Sequence, residues 1–276
     1  MKRFLRTRGI KPCIFVLAAI ISLGIIACDN NGTNNGEEEL PVDNRLIKWQ
    51  ENFESHDVGT SLNELGENEL GENLNWLGNI FAHDTWTFRV QQGPVAGNTG
   101  RFAELISENN REMERRFNII EEQFNFEFDF LMRSTDTATA NLQLVLRNVA
   151  NNTAGQAGRP VHIQINGFGT GADRTFRVRV NGSTAEDHNI EGLAVDVWHT
   201  FRLVGCVPSR VFDLYVGNQS LMNLAIRDTP RTGVHEGTTI LGDGLDSFLI
   251  ITSNAPDPDN PNRVLFDNFL LYNLDE

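Results

Sequence analysis

Residues 123–132 read QFNFEFDFLM, and this stretch decides the fold class of the chain. Phenylalanine stands at positions 124, 126, 128 and 130, and the polar residues Asn125, Glu127 and Asp129 stand between them. A period of two places all four rings on one face of an extended strand and all three polar side chains on the other. The stretch therefore predicts a β-strand with one buried face and one solvated face.

The same alternation recurs along the chain after this strand. It appears at 142–146, 161–165 and 176–180, and further strands are predicted at 198–204, 211–216, 248–252 and 264–272. Turn signals stand at Asn166-Gly167, Asn181-Gly182, Gly217-Asn218 and 242–244, and one short charged stretch, 109–116, is a helix candidate. Many short strands joined by Gly and Asn turns predict an all-β, antiparallel two-sheet jelly-roll sandwich over residues 45–276.

A signal-like segment precedes this domain. Five basic residues lie within positions 2–11, an apolar run extends from Ile14 to Ala27, and the run ends in Ile25-Ile26-Ala27-Cys28. The run is too short to span a bilayer comfortably and has the position of a signal peptide. Its end resembles the lipobox of bacterial lipoproteins, which implies cleavage after residue 27 and acylation of Cys28.

The resemblance to bacterial lipoproteins also suggests an organisation and an address. Residues 1–27 are expected to be the signal peptide, and residues 28–44, rich in Asn, Gly and Glu, a flexible acidic tether. The expected location is the bacterial cell envelope, with the outer membrane or cell surface favoured over the inner membrane. Membrane contact would then come from the lipid, since two or three acyl chains anchor stably without a basic patch.

Charge restricts the partners of the domain. Five of the 23 Lys and Arg residues lie in the signal segment, which leaves 18 against 37 acidic residues and a charge of −19 after residue 27. Such a surface repels phosphate backbones, so nucleic acid is not an expected partner.

Several short motifs resemble the concanavalin-A-like, laminin-G-like jelly-roll superfamily. The domain opens with Asn52-Phe53-Glu54-Ser55 and Val58-Gly59-Thr60, and it closes with Leu265-Phe266-Asp267-Asn268-Phe269. Between them lie Val197-Trp198-His199 and Phe212-Asp213-Leu214-Tyr215-Val216-Gly217. The resemblance implies the sandwich fold, but the superfamily includes lectins, glycosidases, polysaccharide lyases and adhesive modules.

Two enzymatic alternatives are incomplete in this sequence. Glu127-Phe128-Asp129 resembles the first half of a jelly-roll glucanase motif, but Leu, Met and Arg stand at 131–133, where the second glutamate belongs. Arg101–Leu105 and the pair His162 and Gln164 resemble parts of jelly-roll alginate lyases, whose tyrosine-rich closing motif is absent here. No catalytic residue is therefore assigned.

Sugar binding without chemistry is the favoured hypothesis. His162, Gln164 and Asn166 alternate outward on one predicted strand, and Arg177 and Arg179 do so on the next. If these strands pair, their imidazole, amide and guanidinium groups form a patch suited to hydroxyl and carboxylate groups, and the aromatic ring of Trp86 could stack on a sugar.

A structural calcium ion is a further prediction that comes from the resemblance. In related carbohydrate-binding jelly rolls such an ion bridges the opening and closing strands, where this chain has Glu54 and Asp267. Carboxylate oxygens are suitable calcium ligands. Asp-rich loops at 243–246 and 257–260 are rival positions.

The sequence therefore predicts a membrane-anchored envelope lipoprotein with a non-catalytic, carbohydrate-binding jelly-roll domain. A divergent polysaccharide lyase or glycoside hydrolase is one alternative. A protein-binding adhesin or structural envelope component is another.

Overall fold

Fifteen β-strands and one short 3-10 helix form the described part of the chain. The structure, a computed structural model, describes residues 45–67, 73–78, 87–107, 111–133, 141–151, 159–168, 174–180, 188–229, 239–253 and 262–274. Cys28, the predicted signal peptide and tether, Trp86 and the 257–260 loop lie outside these ranges. Among the described residues, no helix has the length and apolar character needed to cross a membrane.

The strands lie in two antiparallel sheets. In chain order they are β1 Arg45–Glu51, β2 Leu77–Gly78, β3 Thr87–Gln92, β4 Arg101–Ser107, β5 Arg111–Ile120, β6 Gln123–Met132, β7 Asn141–Arg147, β8 Val161–Phe168, β9 Thr175–Val180, β10 His188–Ala194, β11 His199–Cys206, β12 Val211–Val216, β13 Gln219–Ala225, β14 Leu245–Ser253 and β15 Asn262–Leu274. The 3-10 helix is Leu62–Glu64.

The first sheet, called sheet one here, has the order β13-β12-β11-β6-β15-β4-β3. Strand β1 also pairs with β15, and its partners, 269–274, follow the segment 262–266 that pairs with β4. The second sheet, sheet two, has the order β10-β9-β8-β7-β14-β5-β2. The two-sheet antiparallel sandwich predicted from the sequence is confirmed.

The core lies between the sheets and is rich in aromatic rings. Phe124, Phe126, Phe128 and Phe130 of β6 are all at most 1% exposed, as the alternation predicts. Trp49 contacts the rings of Trp76, Phe126, Phe248 and Phe269 at centroid distances of 4.8–6.2 Å. Strands from both sheets therefore share one continuous apolar cluster.

The helix candidate at 109–116 is wrong for its described residues, because residues 111–116 lie in β5. Strand β5 pairs along its length with β14. Met113 and Arg115 alternate inward, and the Arg115 guanidinium lies 5.8 Å from the Trp49 ring centroid. An inward arginine interrupts the apolar period of two, which is why the strand was not recognised from the sequence.

The turn predicted at Asn166-Gly167 is also wrong. Both residues lie within β8, where Asn166 pairs with Arg177 and Gly167 with Phe176. By contrast, Gly217-Asn218 does join β12 to β13, with Gly217 at a φ of 58°. Because β8 continues to Phe168, Asn166 lies on the strand surface together with the other predicted binding residues of β8 and β9.

Candidate functional site

The predicted binding residues of β8 and β9 lie next to each other on the outer face of sheet two. Gln164 pairs with Gln143 of β7 on one side and with Arg179 of β9 on the other. Asn166 pairs in the same way with Arg177. All four side chains are half-buried and alternate with core residues, so they point away from the sandwich interior. Gln164, Asn166, Arg177 and Arg179 are called the β8–β9 patch below.

His162 lies on the same strand but is 3% exposed. Its Nε2 lies 2.8 Å from Oε1 of Gln143, and Arg159 donates a hydrogen bond to the same oxygen. Because an arginine has no acceptor, Oε1 must be the acceptor for both, which places a proton on Nε2 of His162. Gln143 of β7 therefore holds His162 of β8 and Arg159, which precedes β8, in one buried group.

Arg159 is the charged member of this buried group. Its side chain is buried, and burial lowers its pKa to about 10, while the charge of Glu112 acts in the opposite direction and that of Arg147 lowers it further. At that pKa the guanidinium is still charged at neutral pH. A buried cation thus lies beside the patch, in a position that the sequence analysis did not identify.

The arginines of the patch are partly accessible. The Arg177 side chain is 28% exposed, and its Nη1 lies 3.9 Å from Oε1 of Glu191 on β10. The Glu191 side chain is 69% exposed, so this ion pair contacts solvent and is weak. Hydrogen-bond donors of the patch can therefore reach a bound ligand.

A second polar group on this face centres on Glu114 of β5. Its Oε1 accepts hydrogen bonds from Nη2 of Arg147 at 2.9 Å and from Oγ of Ser247 at 2.7 Å. Burial by itself would raise the pKa of Glu114, but the hydrogen bonds from Ser247 and Arg147 and the charges of Arg147 and Arg116 outweigh it and lower the pKa. Glu114 is thus held as a carboxylate.

This group borders a cleft of about 150 Å³, called the Glu114 cleft below. The cleft is lined by Leu77, Gly78, Glu112, Glu114, Arg147 and Leu249. Its residues come from four strands of sheet two and include both charge signs. The sequence analysis missed it because Glu112 and Glu114 fell in the segment interpreted as a helix.

Two buried apolar residues connect the cleft with the β8–β9 patch. Val145 of β7 pairs with His162 on one side and with Leu249 on the other, and Leu249 pairs with Glu114. Val145 and Leu249 form an apolar cluster with Ile251, apart from the main core. Outward Val145 stands between Gln143 and Arg147, and outward Leu249 and Ile251 stand in the run SFLIIT, so alternation did not mark them as a cluster.

The glucanase-like carboxylates lie on the other sheet. Glu127 and Asp129 share the outer face of β6, as the alternation predicts. Asp129 accepts hydrogen bonds from Oγ1 of Thr200 at 2.7 Å and from Nδ2 of Asn268 at 2.8 Å. Leu131, the next outward residue, is fully buried in an apolar cluster with Phe102 and Leu265.

The lyase-like residues do not converge on one site. Arg101 and Glu104 belong to β4 of sheet one, whereas His162 and Gln164 belong to β8 of sheet two. Arg101 donates hydrogen bonds to the carbonyl oxygens of Glu54 and His56. Its guanidinium therefore connects β4 to the opening segment.

Glu54 and Asp267, the predicted calcium ligands, lie in one hydrogen-bonded group. Nδ2 of Asn98 donates to Oδ2 of Asp267 at 2.8 Å, and Asn268 donates its backbone N–H to Oδ1. The backbone N–H of Arg101 donates to Oε1 of Glu54 at 2.9 Å. The opening and closing segments are thus connected through protein hydrogen bonds.

Burial is the main cause of the shifted pKa of the Asp267 carboxyl group. Burial raises its pKa to about 6 against the lowering effect of the hydrogen bonds from Asn98 and Asn268, and the charges of Asp129 and Glu54 raise it further. Within the described ranges, no group of three or more His, Cys, Asp or Glu side chains could hold a metal ion. The calcium ion stays a prediction.

Comparison with known proteins gives information on the fold. No protein-family model matches the chain, and no curated protein matches it. Among solved structures, a sialidase superposes with a TM-score of 0.52 at 11% identity over 83% of this chain. The chain spans only 18% of that sialidase.

A second solved structure matches over its whole length. The endo-1,3-beta-glucanase from Streptomyces sioyaensis superposes with a TM-score of 0.50 at 9% identity, over 87% of this chain and 100% of the glucanase. At such identities the similarity shows the fold alone. The described part of the chain therefore has the concanavalin-A-like jelly-roll fold.

Proposed function

We propose that this domain is a non-catalytic carbohydrate-binding module, and that the β8–β9 patch is its binding surface. The observation that carries the proposal is the cross-strand pairing of Gln164 with Arg179 and of Asn166 with Arg177. Each pair offers an amide next to a guanidinium on a rigid strand surface. Amides both donate and accept, and guanidinium groups donate in a fixed planar geometry, which suits hydroxyl and carboxylate groups.

The solved structures with similar folds support a role with sugars. Two of them carry the names sialidase and endo-1,3-beta-glucanase, which denote proteins that act on glycans. The absence of a second glutamate at 131–133 and the hydrogen bonds that engage Asp129 favour binding over hydrolysis. His162 lies beside Gln164 on β8 and is held by Gln143, the cross-strand partner of Gln164, and Trp86 remains a candidate for stacking on a sugar ring.

The decisive experiment presents the full chain, purified in detergent, to a panel of glycans and polysaccharides, and assays retention and released sugar together. Retention without release is expected. Arg179→Ala should reduce retention, because it removes a donor from the patch. Arg89→Ala is the matched control, since Arg89 is an exposed strand arginine on the other sheet.

Other outcomes would overturn the proposal. Release of reducing or unsaturated sugar would favour a divergent hydrolase or lyase. No retention on any glycan, together with binding to envelope or host proteins, would favour an adhesin or a structural component.

We also propose that the domain is anchored in the cell envelope through a lipid on Cys28, with the outer membrane or cell surface as its location. The order of basic, apolar and lipobox-like residues before Cys28 supports this anchor. Metabolic labelling with palmitate should label the wild-type protein and not Cys28→Ser. Equal labelling of the two would refute the anchor, and fractionation of the cells would then report which membrane holds the protein.

A further inference from the structure

A cleft lies at the edge of β5, next to the place where its short partner strand pairs. Strand β2 is two residues long and pairs with Glu114 and Met113. Beside residues 115–118 of β5 lies a cleft of about 420 Å³, bounded by side chains of the 73–77 segment and by Lys48 of β1, and called the Lys48 cleft below. Small-molecule sites have volumes of about 300–1,000 Å³, so the Lys48 cleft has room for a small ligand.

Hydrogen bonds within the protein hold the wall opposite β5 in place. Nη1 of the buried Arg115 donates to the carbonyl oxygens of Asn73 and Asn75. Oδ1 of Asn75 in turn accepts a hydrogen bond from the backbone N–H of Gly66 at 2.8 Å. This wall is therefore already ordered, which lowers the entropic cost of binding a ligand there.

An irregularity in β1 places Lys48 in the wall of the cleft. Ile47 pairs with Tyr272 and Trp49 pairs with the next residue of β15, Leu271, so Lys48 is an extra residue of the strand. Such a bulge turns a side chain to a new direction, and Lys48 is half-buried where it lines the cleft. None of the ion pairs between described residues involves Lys48. Its ammonium group can therefore bind a ligand.

The lining of the Lys48 cleft is positively charged. Its described residues include three basic side chains, those of Lys48, Arg115 and Arg116, and no acidic one. Arg115 is buried, whereas Lys48 is half-buried and Arg116 is exposed. A guanidinium group binds a carboxylate through two parallel donors, and an ammonium group adds a compact charge. Two accessible cations can thus meet one anionic group.

The carboxylates near the cleft do not cancel this charge. Oε2 of Glu114 lies 3.4 Å from Nη2 of Arg116, but the Arg116 side chain is 56% exposed, so this ion pair is weak. Glu114 is also paired with Arg147, which compensates its charge. Glu67, the bridge partner of Asn73, is exposed to solvent and does not line the cleft.

The neutral part of the lining suits a sugar ring. The half-buried Phe117 and the exposed Leu77 offer an apolar surface on which the apolar face of a ring can pack. The exposed Asn118 adds an amide that both donates and accepts hydrogen bonds. Asn75 adds a second amide, whose Nδ2 can donate while its Oδ1 is bound to Gly66. A sugar with a carboxylate group matches the apolar, amide and cationic parts of this lining together.

We propose that the Lys48 cleft binds a sugar unit that carries a carboxylate. The carboxylate contacts Lys48 and Arg116, the hydroxyl groups contact Asn75 and Asn118, and the ring packs on Phe117. The cleft lies three positions from β8 in the order of sheet two, so it is a site separate from the β8–β9 patch. Its preference for an anion stands without the patch, whereas the choice of a sugar among small anions rests on the proposed carbohydrate-binding function.

The composition of the chain provides a specific probe for this cleft. Lys48 is the only lysine after residue 11. Reductive methylation of the full chain in detergent with ¹³C-formaldehyde places a ¹³C-dimethyl group on Lys48 and retains its charge. The NMR signal of this group is the one that Lys48→Arg lacks. Titration with glucuronate should shift the signal to saturation, and the midpoint gives the affinity.

Two matched ligands separate the charge of glucuronate from its ring. Glucuronamide has nearly the same shape without the charge, and acetate has the charge without the ring. Both should bind about tenfold more weakly than glucuronate, or weaker still, because each lacks one group of contacts. Equal affinity for glucuronamide would overturn the anionic preference, and equal affinity for acetate would overturn the sugar as ligand.

Variants assign the binding to the cleft. Asn118→Asp places a negative charge of nearly the same shape at an exposed position and should weaken glucuronate binding by about tenfold or more while changing glucuronamide binding little. Asn218→Asp, in the exposed turn between β12 and β13, is the matched control and should leave both affinities unchanged. Arg116→Gln should weaken glucuronate binding as well. Unchanged glucuronate affinity in Asn118→Asp and in Arg116→Gln would overturn the inference.

This inference and the proposed function fail in different ways. If the Lys48 signal does not shift, but polysaccharide retention depends on Arg179, the cleft site alone is overturned. If the signal shifts to saturation but no polysaccharide is retained, the function proposed for the β8–β9 patch is overturned and the cleft site stands.

Discussion

Two glutamines opposite each other on neighbouring strands differ in their importance for stability. Gln143 is 5% exposed and its Oε1 serves both Arg159 and His162, whereas Gln164, its cross-strand partner, is half-buried. Replacing Gln143 with Leu leaves a buried guanidinium and an imidazole N–H without their shared acceptor.

We therefore expect Gln143→Leu to reduce the free energy of unfolding by about 1–3 kcal/mol. Gln164→Leu is the matched control and should change it by less than about 0.5 kcal/mol. Urea denaturation followed by tryptophan fluorescence measures both. Equal losses in the two variants would show that the Arg159 group does not depend on Gln143.

Glu114 should make the stability of the domain depend on pH in the acid range. Its pKa is lower in the folded protein than the ordinary 4.5. The stabilising contribution of the carboxylate is therefore complete above about pH 4.5 and is lost as the pH falls through the folded pKa.

Glu114→Gln should accordingly be less stable than wild type at neutral pH by about 1 kcal/mol or more, and the difference should shrink at about pH 3. Glu112→Gln serves as control, because Glu112 is exposed and lies on the same strand two residues away. Urea denaturation at both pH values gives the comparison. A difference that is the same at both would exclude Glu114 as the titrating group.

At the scale of the element, strand β11 requires glycine at position 205, because a side chain there would collide with a neighbouring ring. A Cβ atom built at Gly205 would lie 2.5 Å from Cε1 and Cζ of Phe124, which faces it in the β11–β6 ladder. Because the Phe124 ring is fully buried, it has little room to move.

Gly205→Ala should cost about 1–3 kcal/mol of stability. Phe124→Leu in the same chain should recover part of that cost, which a double-mutant cycle would report as a favourable coupling. Ser220→Ala, at an exposed position of β13, is expected to have little effect. Additive losses in the double variant would contradict the proposed clash.

Strands were predicted where apolar residues alternate over several positions; β3 and β13 were not predicted, although their inward residues are apolar. Strand β6 shows its burial pattern directly, with phenylalanine at every second position. Strand β5 has the same geometry, but its inward residue Arg115 places its guanidinium 5.8 Å from the Trp49 ring centroid, and the sequence REMERR therefore suggests a charged helix.

The candidate site was only partly predictable for a related reason. Outward residues at regular spacing, such as Gln164 and Arg179, were identified from alternation alone. The Arg159 group and the Glu114 cleft depend on pairings between strands far apart in the chain, such as β5 with β14. Alternation within one strand contains no information on such pairings.

At the scale of the whole molecule, the link between the opening and closing segments tests the calcium prediction. If an ion binds Glu54 and Asp267, calcium should raise the melting temperature of the full chain in detergent and a chelator should lower it, because a ligand of the folded state alone stabilises it. Asp267→Asn should abolish the response, and Asp243→Asn, in the rival loop, should not.

If calcium and chelator leave the melting temperature unchanged, the calcium prediction is wrong, and the hydrogen bonds of Asn98 and Arg101 connect the opening and closing segments without an ion. Loss of the response in Asp243→Asn alone would instead place the ion in the 243–246 loop.

The pairing of β1 with β15 also makes a circular permutation of the chain possible. Arg45 is the register partner of Leu274, so the two ends of the sandwich lie side by side, within about 5.5 Å between Cα atoms. A short glycine-rich peptide could join them, and a circularly permuted chain could then begin at Asn218, in the turn between β12 and β13. In such a permutant the residues nearest a lipid anchor would emerge at the edge of sheet one formed by β13, and the domain would be presented to its surroundings in a different orientation.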